Sequence, residues 1–198
     1  MVLTDKKIRE FVEKSQLITP FCDENLQSES YDVTIGTELT VMKKESYCID
    51  ISKRADIEDV YYHIDISKDG YTISPKEYVL VSLGESIKLP NSLTAHLRPK
   101  TRYTRLGLIV SSQHCNSTYN GILRIGLFNA TEYPIRIYAG CVIAQLVFEE
   151  LDGVPSLEKL YENKKNAHYH KENKTFIGSK FDNDYLDTVW RKMLDEEE

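Results

Sequence analysis

The chain is expected to be mostly β, closed as a distorted β-barrel or jelly roll, with short N-terminal and C-terminal helices. Two observations predict this. Short apolar runs recur at close spacing between residues 78 and 148, and turn signals separate them. Strands do not alternate with helical patterns, so nothing supports a parallel sheet.

The elements follow in order. Thr4 reads as an N-cap, and Ile8, Phe11 and Val12 form one apolar face, which predicts a helix that stops near Ser15. From Ser30 the period changes to two. Val33-Thr34-Ile35 and Leu39-Thr40-Val41 then read as short strands around a turn at Gly36. Residues 42–72 are charged and irregular, as in loops and edge strands, with β-like pieces near 48–51 and 71–73. Clearer strands are expected at 78–83, 94–97, 108–111, 122–128, 135–137 and 142–148. The turn signals are Leu89-Pro90-Asn91, Tyr119-Asn120-Gly121, Tyr133-Pro134 and Ala139-Gly140. Residues 152–181 are polar. A last helix is expected over about 182–194, where Tyr185, Leu186, Val189, Trp190, Met193 and Leu194 make one wide apolar stripe. The organisation read from this is a β domain over 1–181, then a C-terminal amphipathic helix and acidic end over 182–198.

Composition removes several classes of function. With 198 residues, 41% hydrophobic and 28% charged, the chain has the balance of a globular protein able to bury a core. No apolar run is long enough to span a bilayer, and the first residues carry no apolar signal region; a cytoplasmic protein with no membrane partner is expected. The net charge of −6 argues against a nucleic-acid partner. Cys22, Cys48, Cys115 and Cys141 are scattered, which fits neither a zinc site nor a disulfide framework. His168-Tyr169-His170 is a weak ligand pattern, so no metal site is expected.

The charge is unevenly placed. The chain carries 31 acidic residues, yet none lies between Ser86 and Thr131, a window that holds Lys88, Arg98, Lys100, Arg102, Arg105 and Arg124. Such a stretch suits a compact anion such as a phosphate chain, and it withholds a carboxylate general base. Within it, 98–108 alternates cations with hydroxyls at the entrance to an apolar strand, a good source of donors for phosphate oxygens. Residues 111–121 form a polar loop whose donors and acceptors could read a base edge, with Tyr119 placed to pack on a sugar.

Taken together, Arg105-Leu106-Gly107-Leu108, the polar hairpin, Tyr119-Asn120-Gly121 and Phe128-Asn129 resemble the dCTP deaminase and trimeric dUTPase superfamily. The opening 3–8, the segments 30–36 and 139–148, and the tail spacing of Tyr161 and Ala167-His168-Tyr169 are similar to the dCTP deaminase branch. The resemblance covers roughly residues 1–180. It implies the dUTPase-like barrel, a homotrimer, nucleotide sites at subunit interfaces and metal-free chemistry. It places the phosphate contacts at Lys100, Thr101, Arg102 and Arg105, and the base and sugar contacts at Gln113, Asn116, Tyr119 and Gly126. The pocket-closing tail falls at Tyr161, His168, Tyr169 and Glu172.

Two of these positions depart from the family. Asn116 stands where the resemblance places an Asp, and Gly126 where it places the general acid/base Glu. Asn116 takes no proton at neutral pH. Gly126 is expected to leave room for a larger base, and Glu172 to repel phosphates. No catalytic residue is therefore assigned. The function expected is a non-catalytic nucleotide-binding protein that senses or sequesters a phosphate-bearing nucleotide, one concrete form being a phage-type sponge for a nucleotide signal. The alternative is an active dCTP deaminase or dUTP diphosphatase. No cofactor is required, with Mg²⁺ accompanying the ligand if it is a triphosphate.

Overall fold

The computed structural model describes residues 1–43, 49, 60–172 and 179. The expected helix over 182–194 and, apart from residue 49, the β-like piece at 48–51 lie outside these residues.

The first element is a helix, α1 (Asp5–Ser15), with Thr4 at its N-cap position; the Thr4 side chain makes no capping hydrogen bond. Ile8 is fully buried, and Phe11 and Val12 pack against the core from the same face. Gln16 ends the helix in the left-handed conformation, and its N–H donates to the Val12 carbonyl.

Eleven strands follow: β1 (Ile18–Thr19), β2 (Tyr31–Met42), β3 (Tyr61–Asp65), β4 (Tyr71–Ile73), β5 (Tyr78–Lys88), β6 (Leu93–Pro99), β7 (Leu108–Val110), β8 (Gln113–Cys115), β9 (Asn120–Asn129), β10 (Ile135–Ile137) and β11 (Val142–Glu150). A six-residue helix, α2 (Thr101–Leu106), joins β6 to β7. The main sheet runs β7-β9-β5-β2-β11-β6-β8, with β1 added on β5 and β3 on β2; β10 and β4 form a separate pair. The pairings are antiparallel, and the sheet curls into a half-barrel. Mostly β with few, short helices is the class the sequence predicted.

The two short strands expected around a turn at Gly36 are one continuous strand, β2. The register between β2 and β5 shifts between Ile35 and Leu39, and a Cβ at Gly36 would lie 2.6 Å from the Leu83 carbonyl oxygen. Gly36 is thus a point of close approach between two strands, not a turn. Asn120 and Gly121, also expected in a turn, lie inside β9.

Strand alternation sets which face does what. Val79, Val81 and Leu83 of β5 and Leu123, Ile125 and Leu127 of β9 point into one core with Val33, Ile35, Leu97, Leu146 and Phe148. The other face of the β5–β9 pair therefore carries Tyr78 and Leu80 beside Arg124 and Gly126. Among the described residues, no helix is long and apolar enough to cross a membrane.

Candidate functional site

The site is built on that outer face. Leu80 pairs with Gly126, and Tyr78 with Phe128. A Cβ at Gly126 would lie 2.7 Å from two atoms of the Tyr78 ring. The room expected beside Gly126 for a larger base is therefore filled by the ring of Tyr78 from the neighbouring strand. Two residues along, Arg124 rises from the same face with its side chain 5% exposed.

A second wall comes from β8 and the turn after it. The Gln113 side-chain amide donates to the Arg124 carbonyl oxygen at 2.6 Å, which ties β8 to β9. The Asn116 carbonyl accepts from the Tyr119 N–H at 3.1 Å, closing the turn that carries Tyr119. Tyr119 is 4% exposed, and its hydroxyl is buried with no hydrogen-bond partner among the described residues.

The polar tail closes the site. Tyr161 N–H donates to Ser117 O at 3.4 Å, and Glu162 N–H to Thr118 Oγ1 at 3.1 Å. The Tyr161 ring sits 6.0 Å from that of Tyr119, and Tyr169 N–H donates to Tyr161 Oη at 3.4 Å. The tail then pairs with the start of β9: Lys171 N–H donates to Asn120 O at 2.6 Å, and Ile122 N–H to Glu172 O at 2.8 Å. A Cβ at Gly121 would lie 2.7 Å from the Glu172 carbonyl oxygen and 2.9 Å from its nitrogen, so glycine there lets the tail backbone approach. This docking places the Glu172 carboxylate, 5% exposed, 3.4 Å from Arg124 Nε.

The cavity is a partly open cleft of about 420 Å³, within the range of small-molecule sites. Tyr61, Tyr78, Tyr161 and Tyr169 supply aromatic walls, and Gln113, Asn116, Arg124 and Glu172 supply polar groups. Burial, reinforced by the Glu172 carboxylate, pushes the Tyr119 phenol up, and burial also raises Tyr61, Tyr78 and Tyr161. These phenols stay protonated near neutral pH and act as donors or stacking surfaces. Burial pushes the Cys115 thiol up to about 12, so it is no thiolate nucleophile. Burial pulls Arg124 down from the usual guanidinium value, opposed first by Glu172 and then by Glu38. Among the described residues, no group of three His, Cys, Asp or Glu side chains could hold a metal ion.

Six of the residues predicted from sequence line this cavity together: Gln113, Asn116, Tyr119, Tyr161, Tyr169 and Glu172. His168 lies beside it, its ring 6.5 Å from that of Tyr169. The cationic segment lies apart. Lys100, Thr101, Arg102 and Arg105 do not line the cavity of their own chain. Lys100 Nζ is held by both carboxylate oxygens of Asp32, at 2.7 and 2.9 Å. Thr101, Arg102 and Arg105 are exposed on α2, which Tyr103 anchors by donating from its hydroxyl to Val142 O at 2.8 Å. Sequence reasoning missed Tyr61, Tyr78 and Arg124 as lining residues. A signal existed for Arg124, a lone cation in the apolar run 122–128, in phase with Gly126.

The sequence model of the dCTP deaminase-like family matches residues 2–151. A dUMP-forming dCTP deaminase of Hydrogenobaculum sp. is 33% identical over 158 residues, covering 79% of this chain and 86% of that protein. The dUMP-forming dCTP deaminase of Aquifex aeolicus is 32% identical over 166 residues, covering 83% and 88%. The crystal structure of 2'-deoxycytidine 5'-triphosphate deaminase from Agrobacterium tumefaciens superposes with a TM-score of 0.59 at 21% identity; the match covers 74% of this chain and 47% of that one.

Proposed function

This chain belongs to the dCTP deaminase-like family, and from that premise we propose that it binds a phosphate-bearing nucleotide and holds it intact, as a sensor or a sequestering protein. The observation that carries the reading is at position 126. The resemblance puts the family's acid/base carboxylate there, whereas this chain has a glycine covered by the Tyr78 ring. Among the described residues lining the cavity, Glu172 is the one carboxylate, and it faces Arg124. Asn116 carries an amide where a carboxylate would take a proton. Losing a positioned general base costs about two to four orders of magnitude in rate.

The phosphates would be held by Arg102 and Arg105 with the hydroxyl of Thr101, Lys100 being tied to Asp32. These groups lie outside the cavity of their own chain, so a homotrimer with sites at subunit interfaces would bring the α2 segment of one chain to the cavity of another. The reading requires no cofactor, and Mg²⁺ would accompany a triphosphate. Arg102→Glu is expected to weaken binding by about 2 kcal/mol or more.

A second reading, an active dCTP deaminase or dUTP diphosphatase, is favoured by the names of the relatives at 32–33% identity. One experiment separates the two. Protein in excess over a nucleotide pool with Mg²⁺ is filtered, the retained fraction is heated, and both fractions are chromatographed. A nucleotide that leaves the filtrate and returns unchanged supports the binder. Appearance of dUMP or dUTP refutes it.

A further inference from the structure

A second concavity shares a wall with the tyrosine-lined cavity. It is an open groove of about 270 Å³ between the end of β5, the start of β9 and the tail. That is below the roughly 300 Å³ at which sites for drug-sized ligands begin, and it suits a small ion with its waters. Neighbouring residues divide between the two spaces. Tyr119, Tyr161 and Glu172 line the cavity, whereas Thr118, Asn120, Glu162 and Lys171 line the groove. Three basic groups converge on the groove. Lys88 and Lys171 are exposed and make no ion pair among the described residues. Their backbones are fixed on either side of Asn120: Lys88 pairs with it across β5 and β9, and Lys171 N–H donates to its carbonyl oxygen at 2.6 Å. Two strand spacings, about 10 Å, separate these backbones, a gap that two lysine side chains can close over one anion. His170 is the third group. Its ring packs edge-on against Tyr161, the centroids 6.0 Å apart, and its Nδ1 is buried with no hydrogen-bond partner among the described residues. An unsatisfied buried ring nitrogen calls for an ion or a water as its partner. Among the described residues lining the groove, Glu162 is the one carboxylate, so the charge there is net positive in a chain of net charge −6.

We propose that this groove binds a small oxyanion of the phosphate or sulfate type, held by Lys88, Lys171 and His170, and that the bound ion clamps the tail over the neighbouring cavity. Three donors suit the oxygens of a tetrahedral oxyanion better than the two of a carboxylate. Lys88 belongs to the main sheet, whereas His170 and Lys171 belong to the tail. An ion that bridges them forms a link that exists only while the tail is docked, so it shifts the tail toward that state. Burial and Lys171 pull the His170 imidazole below its ordinary 6.5, with Glu162 opposing. The ring is therefore neutral at pH 7, and an anion beside it favours its protonation. The groove is a site in its own right; only its consequence for nucleotide retention rests on the nucleotide-holding reading above.

The test is hydrogen–deuterium exchange of the full chain at pH 7 with increasing sodium sulfate, against sodium chloride at matched ionic strength. At ten times its dissociation constant, sulfate should slow exchange over 168–172 about tenfold, while β2 and β11 stay unchanged. Inorganic phosphate should act in the same way. Lys88→Ala, which removes a side chain outside the tail, should abolish the slowing, and Lys88→Arg should keep it. Sulfate does not titrate between pH 5 and pH 8, so a nuclear magnetic resonance titration with it reports on the protein: the His170 midpoint should rise. No saturable slowing, slowing that survives in Lys88→Ala, or an unmoved His170 midpoint would each overturn the site. If the nucleotide retained in the filtration experiment displaces sulfate, the groove holds that nucleotide's own phosphates and the separate site falls. If no nucleotide is retained yet sulfate slows the tail, the site stands and the nucleotide-holding reading alone fails.

Discussion

Replacing Gly121 by alanine tests how the tail is held over the site. The new Cβ would lie 2.7 Å from the Glu172 carbonyl oxygen and 2.9 Å from its nitrogen. Both neighbours are backbone atoms, so no rotamer change relieves the contact and the tail itself must move. The movement breaks the Lys171-to-Asn120 and Ile122-to-Glu172 backbone hydrogen bonds. At about 1 kcal/mol each, the local cost is about 2 kcal/mol, or roughly thirtyfold in the opening equilibrium of the tail. Hydrogen–deuterium exchange read by mass spectrometry is the assay. Peptides over 119–124 and 168–172 should exchange roughly thirtyfold faster, while β2 and β11, which do not touch the tail pairing, keep wild-type protection. Nucleotide affinity should fall with it, since Glu172 leaves Arg124. Unchanged exchange over 119–124 would refute the claim that this glycine admits the tail.

Gly126→Ala brings a Cβ against the far end of the Tyr78 side chain, which is 41% exposed and free to turn aside, so it should cost less than about 1 kcal/mol in urea denaturation, and Tyr78→Ala should abolish that cost; a cost unchanged by Tyr78→Ala would break the argument. Glu172→Ala removes the carboxylate that acts most strongly on the buried Arg124 guanidinium and should destabilise the chain by roughly 2–3 kcal/mol, whereas Arg124→Met with Glu172→Met should recover most of that loss; a double variant no more stable than the single would count against the pair. Glu85 is buried and accepts from Thr34 N–H at 2.9 Å and Thr34 Oγ1 at 3.0 Å; burial lifts its carboxyl above the usual 4.5, with the Thr34 hydrogen bonds opposing. The unfolded chain therefore loses this proton first, so stability should fall as pH rises from 4.5 through the raised folded value. Glu85→Gln should flatten that fall, and an identical pH profile of denaturation midpoints in the two proteins would contradict it.

How much the sequence revealed depended on whether a signal was local. The six strands expected after residue 78 all exist, because each is an apolar run bounded by turn residues. Gly36 and Asn120-Gly121 misled for the opposite reason: a glycine reads as a turn from sequence alone, but here each admits another backbone segment that is distant in the chain. The turn at Gly140, where φ is 82°, was legible because it closes within four residues, Cys141 N–H donating to Tyr138 O at 3.3 Å. Half of the predicted site residues meet in one cavity, and the tail residues joined them because the family resemblance supplied a contact that spacing could not. Tyr78 went unseen because only the pairing of β5 with β9 brings it beside Gly126, and Tyr61 because its strand, β3, joins the sheet through β2.

The altered positions make sense as a set. Glu172 was expected to repel phosphates, and alone it would. Arg124, in phase with Gly126 on β9, neutralises it, so the tail carboxylate can stay buried without demanding fewer charges on the ligand. The same phase explains why position 126 has no side chain: a larger residue would contest the space of the Tyr78 ring. Tyr78, Arg124, Gly126 and Glu172 thus depend on one another through volume and charge. A larger side chain at 126 would have to displace the Tyr78 ring, and a change at Glu172 would have to be answered at Arg124, so substitutions within each pair should couple rather than add.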